Sequence, residues 1–148
     1  MFGFGKENSG GPVDLDQVQK LLNGLELKYR VIPEKNAITL SFEADNGDVD
    51  LVILVNKEAA VVYIAAVEMM KVPEDHPKVQ DLMRKFMELN WELSLGKFEW
   101  DPKDGEVRLS YAFTTEDGLG QSALGAAIAY LVKVADKRRP ELKGLLGE

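Results

Sequence analysis

The segment GKFEWDPKDGEVRLSYAF, residues 96–113, alternates between apolar and polar residues, turns, and then alternates again. With Pro102–Gly105 as a four-residue loop, its two halves form an antiparallel hairpin with one apolar face, and Glu99 lies opposite Arg108. The apolar face comprises Phe98, Trp100, Val107, Leu109, Tyr111 and Phe113. Burial, turn formation and strand pairing account for these residue types. The segment therefore indicates a structural role rather than a reaction centre.

A second hairpin is predicted upstream, where residues 37–44 alternate in the same way. Asn46-Gly47 suits a two-residue type I′ turn, because both central residues of that turn need positive φ. In this register Phe42 lies opposite Leu51, and the apolar sides of the two strands coincide. A further strand is predicted over residues 60–69.

Three helices are predicted around these strands. Asp14 and Gln17 have the spacing of a capping box, which indicates a helix over residues 15–23. A second, amphipathic helix follows Pro77, with an apolar side made of Val79, Leu82, Met83, Phe86 and Met87. A long, alanine-rich helix comes last, and Pro140 either ends it or starts a short second helix.

This order, α-β-β-β-(β)-α-β-β-α, is typical of an α+β fold. We expect two layers, with the helices packed on one face of an antiparallel sheet. The length of 148 residues fits one domain, which we place at residues 13–148. Residues 1–12, MFGFGKENSGGP, are interpreted as a flexible tail, with a docking hook made of Phe2 and Phe4 as the alternative.

The composition argues against several classes of protein. The formal net charge of -7 disfavours binding to nucleic acid or to an anionic membrane surface, because both need a basic patch. The absence of cysteine excludes disulfides and thiolate metal sites and fits a reducing compartment. We find neither a secretory signal nor an apolar run of the roughly 18 to 20 residues that a membrane span requires. We therefore expect a cytoplasmic protein that binds neither nucleic acid nor membrane.

No motif in the chain indicates catalysis. His76 is the only histidine, and no serine lies in a G-x-S-x-G elbow, so a Ser-His-Asp triad has no support. The acidic residues at positions 45, 48 and 50 lack the spacing of a calcium loop, and the glycines at 118–125 match no phosphate-binding motif. The sequence thus predicts a protein that is not an enzyme, with no catalytic residue, no metal site and no cofactor.

One pattern indicates a partner. If alternate residues of the third strand face the core, their neighbours form a second apolar stripe on the opposite face of the sheet. The second stripe consists of Val52, Leu54, Val61, Tyr63, Val67 and Met69. Exposed contiguous apolar surface usually marks an interface, so we predict a homodimer or a bound client polypeptide here. The alternative is that a helix of the same chain covers the stripe.

Residues 89–111, LNWELSLGKFEWDPKDGEVRLSY, resemble the signature region of YbjN-like proteins. The matching residues are Leu89-Asn90, Glu92-Leu93, Leu95-Gly96, Phe98-Glu99, Asp101-Pro102 and Asp104-Gly105-Glu106-Val107-Arg108. The resemblance implies a fold like that of type III secretion chaperones, which are often dimeric and bind other polypeptides. Some members are described as sensory-transduction regulators, a label without defined chemistry, so the resemblance implies no catalytic residues.

The function predicted from these observations is a non-enzymatic protein-binding module, chaperone-like or regulatory, that forms a homodimer. Asn90, Glu99 and Arg108 are polar residues of the signature and form a candidate recognition patch. Their alternative role is local, with Asn90 ending a helix and Glu99 pairing with Arg108 across the hairpin.

A small-molecule sensor is the alternative function. It would bind its ligand in a pocket between sheet and helices, lined by residues such as Phe98, Trp100 and Tyr111.

Overall fold

The computed structural model of the chain describes residues 10–148. In that range, three α-helices and six strands follow one another in the predicted order, with the optional fourth strand present. The helices are α1 (Leu15–Gly24), α2 (Val79–Glu92) and α3 (Gln121–Leu145). The strands are β1 (Arg30–Ile32), β2 (Ala37–Phe42), β3 (Val49–Asn56), β4 (Val61–Lys71), β5 (Lys97–Trp100) and β6 (Glu106–Thr114). Residues 1–9 of the predicted tail lie outside the described range.

The strands form one antiparallel sheet in the spatial order β1-β2-β3-β4-β6-β5. The helices pack on one face of it, which we call the covered face, and bury its apolar side chains in a single core. Fully buried members of this core include Ile38, Ile53, Ile64, Leu109, Leu124 and Leu131. The predicted α+β architecture is therefore confirmed, and helix α1 starts with the predicted capping box of Asp14 and Gln17.

The β5–β6 hairpin has the predicted register, with Phe98 opposite Leu109. Its loop closes on Gly105, whose φ of 77° favours glycine. A Cβ at that position would lie 2.7 Å from the carbonyl oxygen of Val72, so the loop packs against the end of β4 only because the side chain is missing. The Gly105 of the sequence signature is thus a packing requirement.

The β2–β3 hairpin differs from the prediction. Phe42 lies opposite Val49 rather than Leu51, and residues 43–48 form a longer loop in place of the two-residue turn. Because the shift is even, the predicted faces are preserved, and Leu51 and Ile53 are buried as expected.

The loop leaves the strand ladder because it binds α3. The backbone N–H of Asn46 donates to Asp136 Oδ1 at 2.7 Å, and Asn46 Nδ2 donates to the carbonyl oxygen of Asp136 at 3.2 Å. That carbonyl lies four residues before Pro140, which has no N–H to bond it within the helix. Asn46 therefore fills a gap that Pro140 creates, and α3 continues through this proline to Leu145. The prediction that Pro140 ends the helix or starts a second one is wrong.

Arg139 completes this attachment. Its guanidinium donates to the carbonyl oxygens of Asn46 at 3.0 Å and Asp48 at 2.9 Å, and the residue is buried although it is charged. The carbonyl of Asp48, which a two-residue turn would have paired within the hairpin, is satisfied by the helix instead. A contact between segments about 90 positions apart in sequence thus decides the register of a local hairpin.

Candidate functional site

The second face of the sheet, which we call the open face, carries no helix of residues 10–148. Strand pairing places Val52 beside Ala65 and Leu54 beside Tyr63 on this face. Leu54 is 39% exposed, and its neighbours Val52 and Tyr63 are half-buried. The alternative in which a helix of the same chain covers the second stripe is therefore wrong for the described residues.

The predicted stripe is interrupted at its far end by a bulge in β4. Ala66 pairs with Leu109 and Met70 with Val107, so three residues of β4 lie where β6 supplies one. Met69 consequently turns into the core and is only 4% exposed. Val67 stays half-buried, so the stripe comprises Val52, Leu54, Val61, Tyr63 and Val67 without Met69.

A buried carboxylate holds this bulge. Glu68 has a positive φ of 49°, and its backbone N–H donates to Glu106 Oε2 at 2.8 Å. Glu106 also binds Arg108 through both carboxylate oxygens, at 2.9 and 3.0 Å. These hydrogen bonds to Glu106 raise the pKa of Arg108 above its ordinary value. The predicted ion pair between Glu99 and Arg108 is wrong, because the two lie opposite each other but Arg108 binds Glu106.

Glu99 binds Tyr63 instead. The phenol of Tyr63 donates to Glu99 Oε1 at 2.7 Å. Burial raises the pKa of Tyr63, and its bond to Glu99 raises it further. Burial alone would raise the pKa of Glu99 too, but polar contacts with Ser110 and Tyr63 and the charge of Lys97 hold that pKa below its ordinary value. The open face thus combines apolar residues with a fixed polar cluster that includes Tyr63, Glu99 and Arg108.

Asn90 does not join that cluster. Its side chain lies at the outer edge of β5, where Oδ1 accepts the backbone N–H of Phe98 at 2.7 Å and Nδ2 donates to the carbonyl oxygen of Phe98 at 3.3 Å. The amide therefore makes the two bonds that a neighbouring strand would make. The three polar signature residues do not form one patch: Glu99 and Arg108 share the open face, whereas Asn90 covers an edge.

The aromatic residues proposed to line a sensor pocket each contact other parts of the chain, and Tyr111 packs edge-on against Phe113. Phe98 is 4% exposed and stacks on Phe86 with ring centroids 5.4 Å apart. Trp100 donates its indole N–H to the carbonyl oxygen of Val72 at 2.9 Å. Phe98 is thus a core residue, and its ring faces a second phenylalanine where the sensor model needs a ligand.

Helix α2 exposes two large apolar side chains that the sequence reasoning missed. Met87 is 72% exposed and Trp91 is 90% exposed, one helical turn apart, and we call them the α2 ridge. The periodicity had assigned Met87 to the buried side of the helix. Tryptophan at position 91, one turn beyond Met87, is the signal that could have revealed the ridge, because an amphipathic helix rarely carries tryptophan on its polar side.

An ion pair on the flank of α2 links the helix that carries the ridge to α3. Lys85 Nζ lies 2.7 Å from Glu141 Oε2 of α3. The hydrogen bond from Lys85, together with its charge, holds the pKa of Glu141 below its ordinary value. Helix α2 is thereby tied to α3, with Met87 and Trp91 in solvent.

The described range also bears on metal binding and on membrane insertion. Residues 10–148 contain no cluster of three or more histidine or carboxylate side chains arranged to hold a metal ion. The helices in the same part of the chain are all too short or too polar to cross a membrane.

Three solved structures share this fold. YbjN from E. coli superimposes with a TM-score of 0.67 at 12% identity, over 87% of this chain and 93% of that chain. In the ExsC–ExsE complex, the matching chain superimposes with a TM-score of 0.60 at 19% identity, over 88% of this chain and 97% of that chain. In the HopA1–SchA chaperone–effector complex, the matching chain superimposes with a TM-score of 0.59 at 15% identity, over 87% of this chain and 99% of that chain. These likenesses confirm the predicted chaperone-like fold.

Sequence comparison with families agrees with the structure. Among curated proteins none matches the chain. The model of the YbjN family, described as "Putative bacterial sensory transduction regulator", matches residues 14–143. This match covers both candidate surfaces and the whole signature hairpin. The chain therefore belongs to the YbjN family.

Proposed function

We propose that this chain is a cytoplasmic, non-enzymatic protein-binding module, chaperone-like or regulatory in role. The observation that carries the proposal is the α2 ridge, where Trp91 is almost fully exposed beside Met87. Exposed tryptophan is costly in water and is enriched at the centres of protein interfaces. Solved complexes of similar fold, the ExsC–ExsE and HopA1–SchA complexes, support a role in binding polypeptides.

The first partner is a second copy of the chain, bound through the ridge. Met83, Met87 and Trp91 follow one another at single-turn spacing along α2, so two antiparallel α2 helices would place Met87 against its counterpart and Trp91 over Met83. Arg84 and Glu88 flank the ridge on one side and already lie 3.6 Å apart. In an antiparallel pair the same flanks meet, so each arginine faces a glutamate of the other copy. The surface is self-complementary in shape and in charge.

The second partner is a client polypeptide, bound on the open face. This surface offers the apolar side chains of Val52, Leu54 and Val61, with Tyr63 and Glu99 already fixed by their hydrogen bond. A preorganised mixture of apolar and polar groups suits recognition because little side-chain entropy remains to be lost on binding.

Light scattering coupled to size-exclusion chromatography tests the dimer. We expect a mass near twice 16.5 kDa for the wild type and a monomer for Trp91→Glu, because the charge would be buried without a partner. Ser122→Glu, which adds the same charge at an exposed position of α3, is the matched control and should remain dimeric. A Trp91→Glu variant that stays dimeric, or a monomeric wild type, would refute self-association through the ridge.

Client binding is tested on the open face with a matched pair in β3. Leu54→Asp should abolish capture of the client, whereas Asn56→Asp, an exposed position on the same face, should retain it. Both variants should keep the mass of the wild type in solution. If Leu54→Asp captures the client as well as the wild type does, the open face is not the client surface.

A further inference from the structure

A third apolar surface lies on the helix side of the molecule, away from both surfaces above. It is a groove of about 410 Å³ between the end of α1, strand β2 and helix α3. Its walls include Leu25, Leu27, Phe42, Ile128, Ala129 and Val132, and among residues 10–148 Lys133 is the only charged residue that lines it. A groove of this size and character lies within the range of sites that accept apolar ligands.

The groove owes its depth to a glycine. Gly125 forms part of the lining, and a Cβ at this position would lie 2.9 Å from Leu25 Cδ2. The close approach lets α1 end directly against the first turns of α3. Exposed Ala129, one turn further along α3, leaves space for side chains that come from elsewhere.

We propose that the segment Phe2–Phe4 of the same chain docks in this groove. These residues lie outside the described range, and the described chain begins at Gly10. The sequence MFGFG places two phenylalanines at alternate positions, so both side chains fall on one side of an extended segment. Gly3 lies between them and Gly5 follows them. Glycines allow the backbone to approach a surface closely.

The segment before Gly10 is long enough for its phenylalanines to reach the groove. Gly11 lies against the backbone of Glu116, just before α3, and α1 then leads from this point to Leu25 at the groove. Helix α1 has 10 residues and is therefore about 15 Å long. When extended, the residues from Phe2 to Gly10 can span up to about 27 Å and those from Phe4 to Gly10 up to about 20 Å. Both spans exceed the length of α1, so both phenylalanines can reach along this helix to its end at the groove.

Docking of this kind makes the N-terminal segment a built-in occupant, which a partner with apolar side chains would have to displace. A local tether keeps the segment at high effective concentration, so even a weak contact remains mostly occupied. The inference is independent of the proposed function, because neither the α2 ridge nor the open face contributes to the groove.

The chain contains no cysteine, which makes disulfide trapping a clean test. One variant carries Gly5→Cys with Ala129→Cys, so both phenylalanines remain and the second thiol lies in the groove. The control carries Gly5→Cys with Ala112→Cys, an exposed site of β6 that is only four residues from Glu116 along the chain. We expect the groove pair to form its intramolecular disulfide about tenfold faster than the control pair, reflecting a higher effective concentration.

A third variant adds Phe2→Ser and Phe4→Ser to the groove pair and should lose this advantage, because the tether is unchanged but the apolar anchors are gone. Equal rates for the groove and control pairs would overturn the proposal. So would an advantage that survives without the phenylalanines. A disulfide found only between two chains would assign the groove to the segment of a second copy and would overturn docking within one chain. Circular dichroism checks that every variant is folded.

Discussion

The covered and open faces of the sheet are made by the same strands, yet they are completed in different ways. In β3, Ile53 is fully buried beneath the helices, whereas its neighbour Leu54 is 39% exposed on the other face. Both residues are apolar, so the hydrophobic pattern alone does not separate them. The difference teaches that alternation assigns residues to a face, while the position of the helices decides which face the chain itself covers.

The largest expected effect comes from truncating these neighbours one at a time. Ile53→Ala should lower the free energy of unfolding by about 3 kcal/mol, because it removes buried methyl groups and leaves a cavity. Leu54→Ala should cost less than about 1 kcal/mol, because solvent already reaches its side chain. Urea unfolding of both variants measures the difference. Equal losses would mean that the open face is as fully packed as the covered face.

The next effect concerns Glu106, the one buried charge that the described residues place on the open face. Glu106→Gln should cost about 2 kcal/mol, because Arg108 loses a bidentate partner, but Arg108 is partly exposed and water compensates for some of the loss. Lys97→Gln serves as the control, since Lys97 makes only an exposed contact with Glu99 at 3.6 Å. An unchanged unfolding midpoint for Glu106→Gln would show that the bulge is held by backbone geometry alone.

A smaller loss of stability is expected from a change at the outer edge of β5, where Asn90 bonds the strand. Asn90→Ala removes both hydrogen bonds to the backbone of Phe98 and should cost about 1 kcal/mol. Gln80→Ala, at an exposed position of the same helix, should have almost no effect. The decisive readout is hydrogen exchange at the Phe98 amide, which should become faster in Asn90→Ala only. Unchanged protection there would mean that the asparagine does not substitute for a strand.

The smallest effect is the pH dependence of the link between Tyr63 and Glu99. The pKa of Glu99 in the folded chain lies below its ordinary value of 4.5, so this link stabilises the fold above that pH and is lost as the pH falls towards the folded pKa. The stability of the wild type should therefore decrease more steeply below pH 4.5 than that of Glu99→Gln. Parallel curves in thermal unfolding at a series of acidic pH values would contradict this assignment.

The two hairpins show how far the sequence could predict the fold. The β5–β6 register follows from local alternation and from a loop whose residues bond one another, so Phe98 and Leu109 pair as predicted. The β2–β3 register depends on Asn46 reaching the carbonyl of Asp136 that Pro140 leaves free. No local pattern contains that contact, and the same contact explains why α3 continues through the proline.

The candidate sites were predictable to a smaller extent. Alternation placed Val52, Leu54 and Tyr63 on one face correctly, because strand pairing preserves the period. Met69 left that face because a bulge adds residues to β4, and the carboxylate that stabilises the bulge belongs to another strand. Trp91 was missed because the helical pattern indicates only which side of α2 is buried. It gives no information about apolar residues on the exposed side.

The amide of Asn90 also limits how copies of the chain can join through their sheets. It occupies both outward backbone groups of Phe98, so β5 offers little to an incoming strand. At the opposite end of the sheet, β1 pairs with β2 alone among the described strands. An association between two β1 edges would close on itself. Open-ended fibres would need a second free edge on every molecule, and at β5 the Asn90 side chain already occupies the outward groups of Phe98.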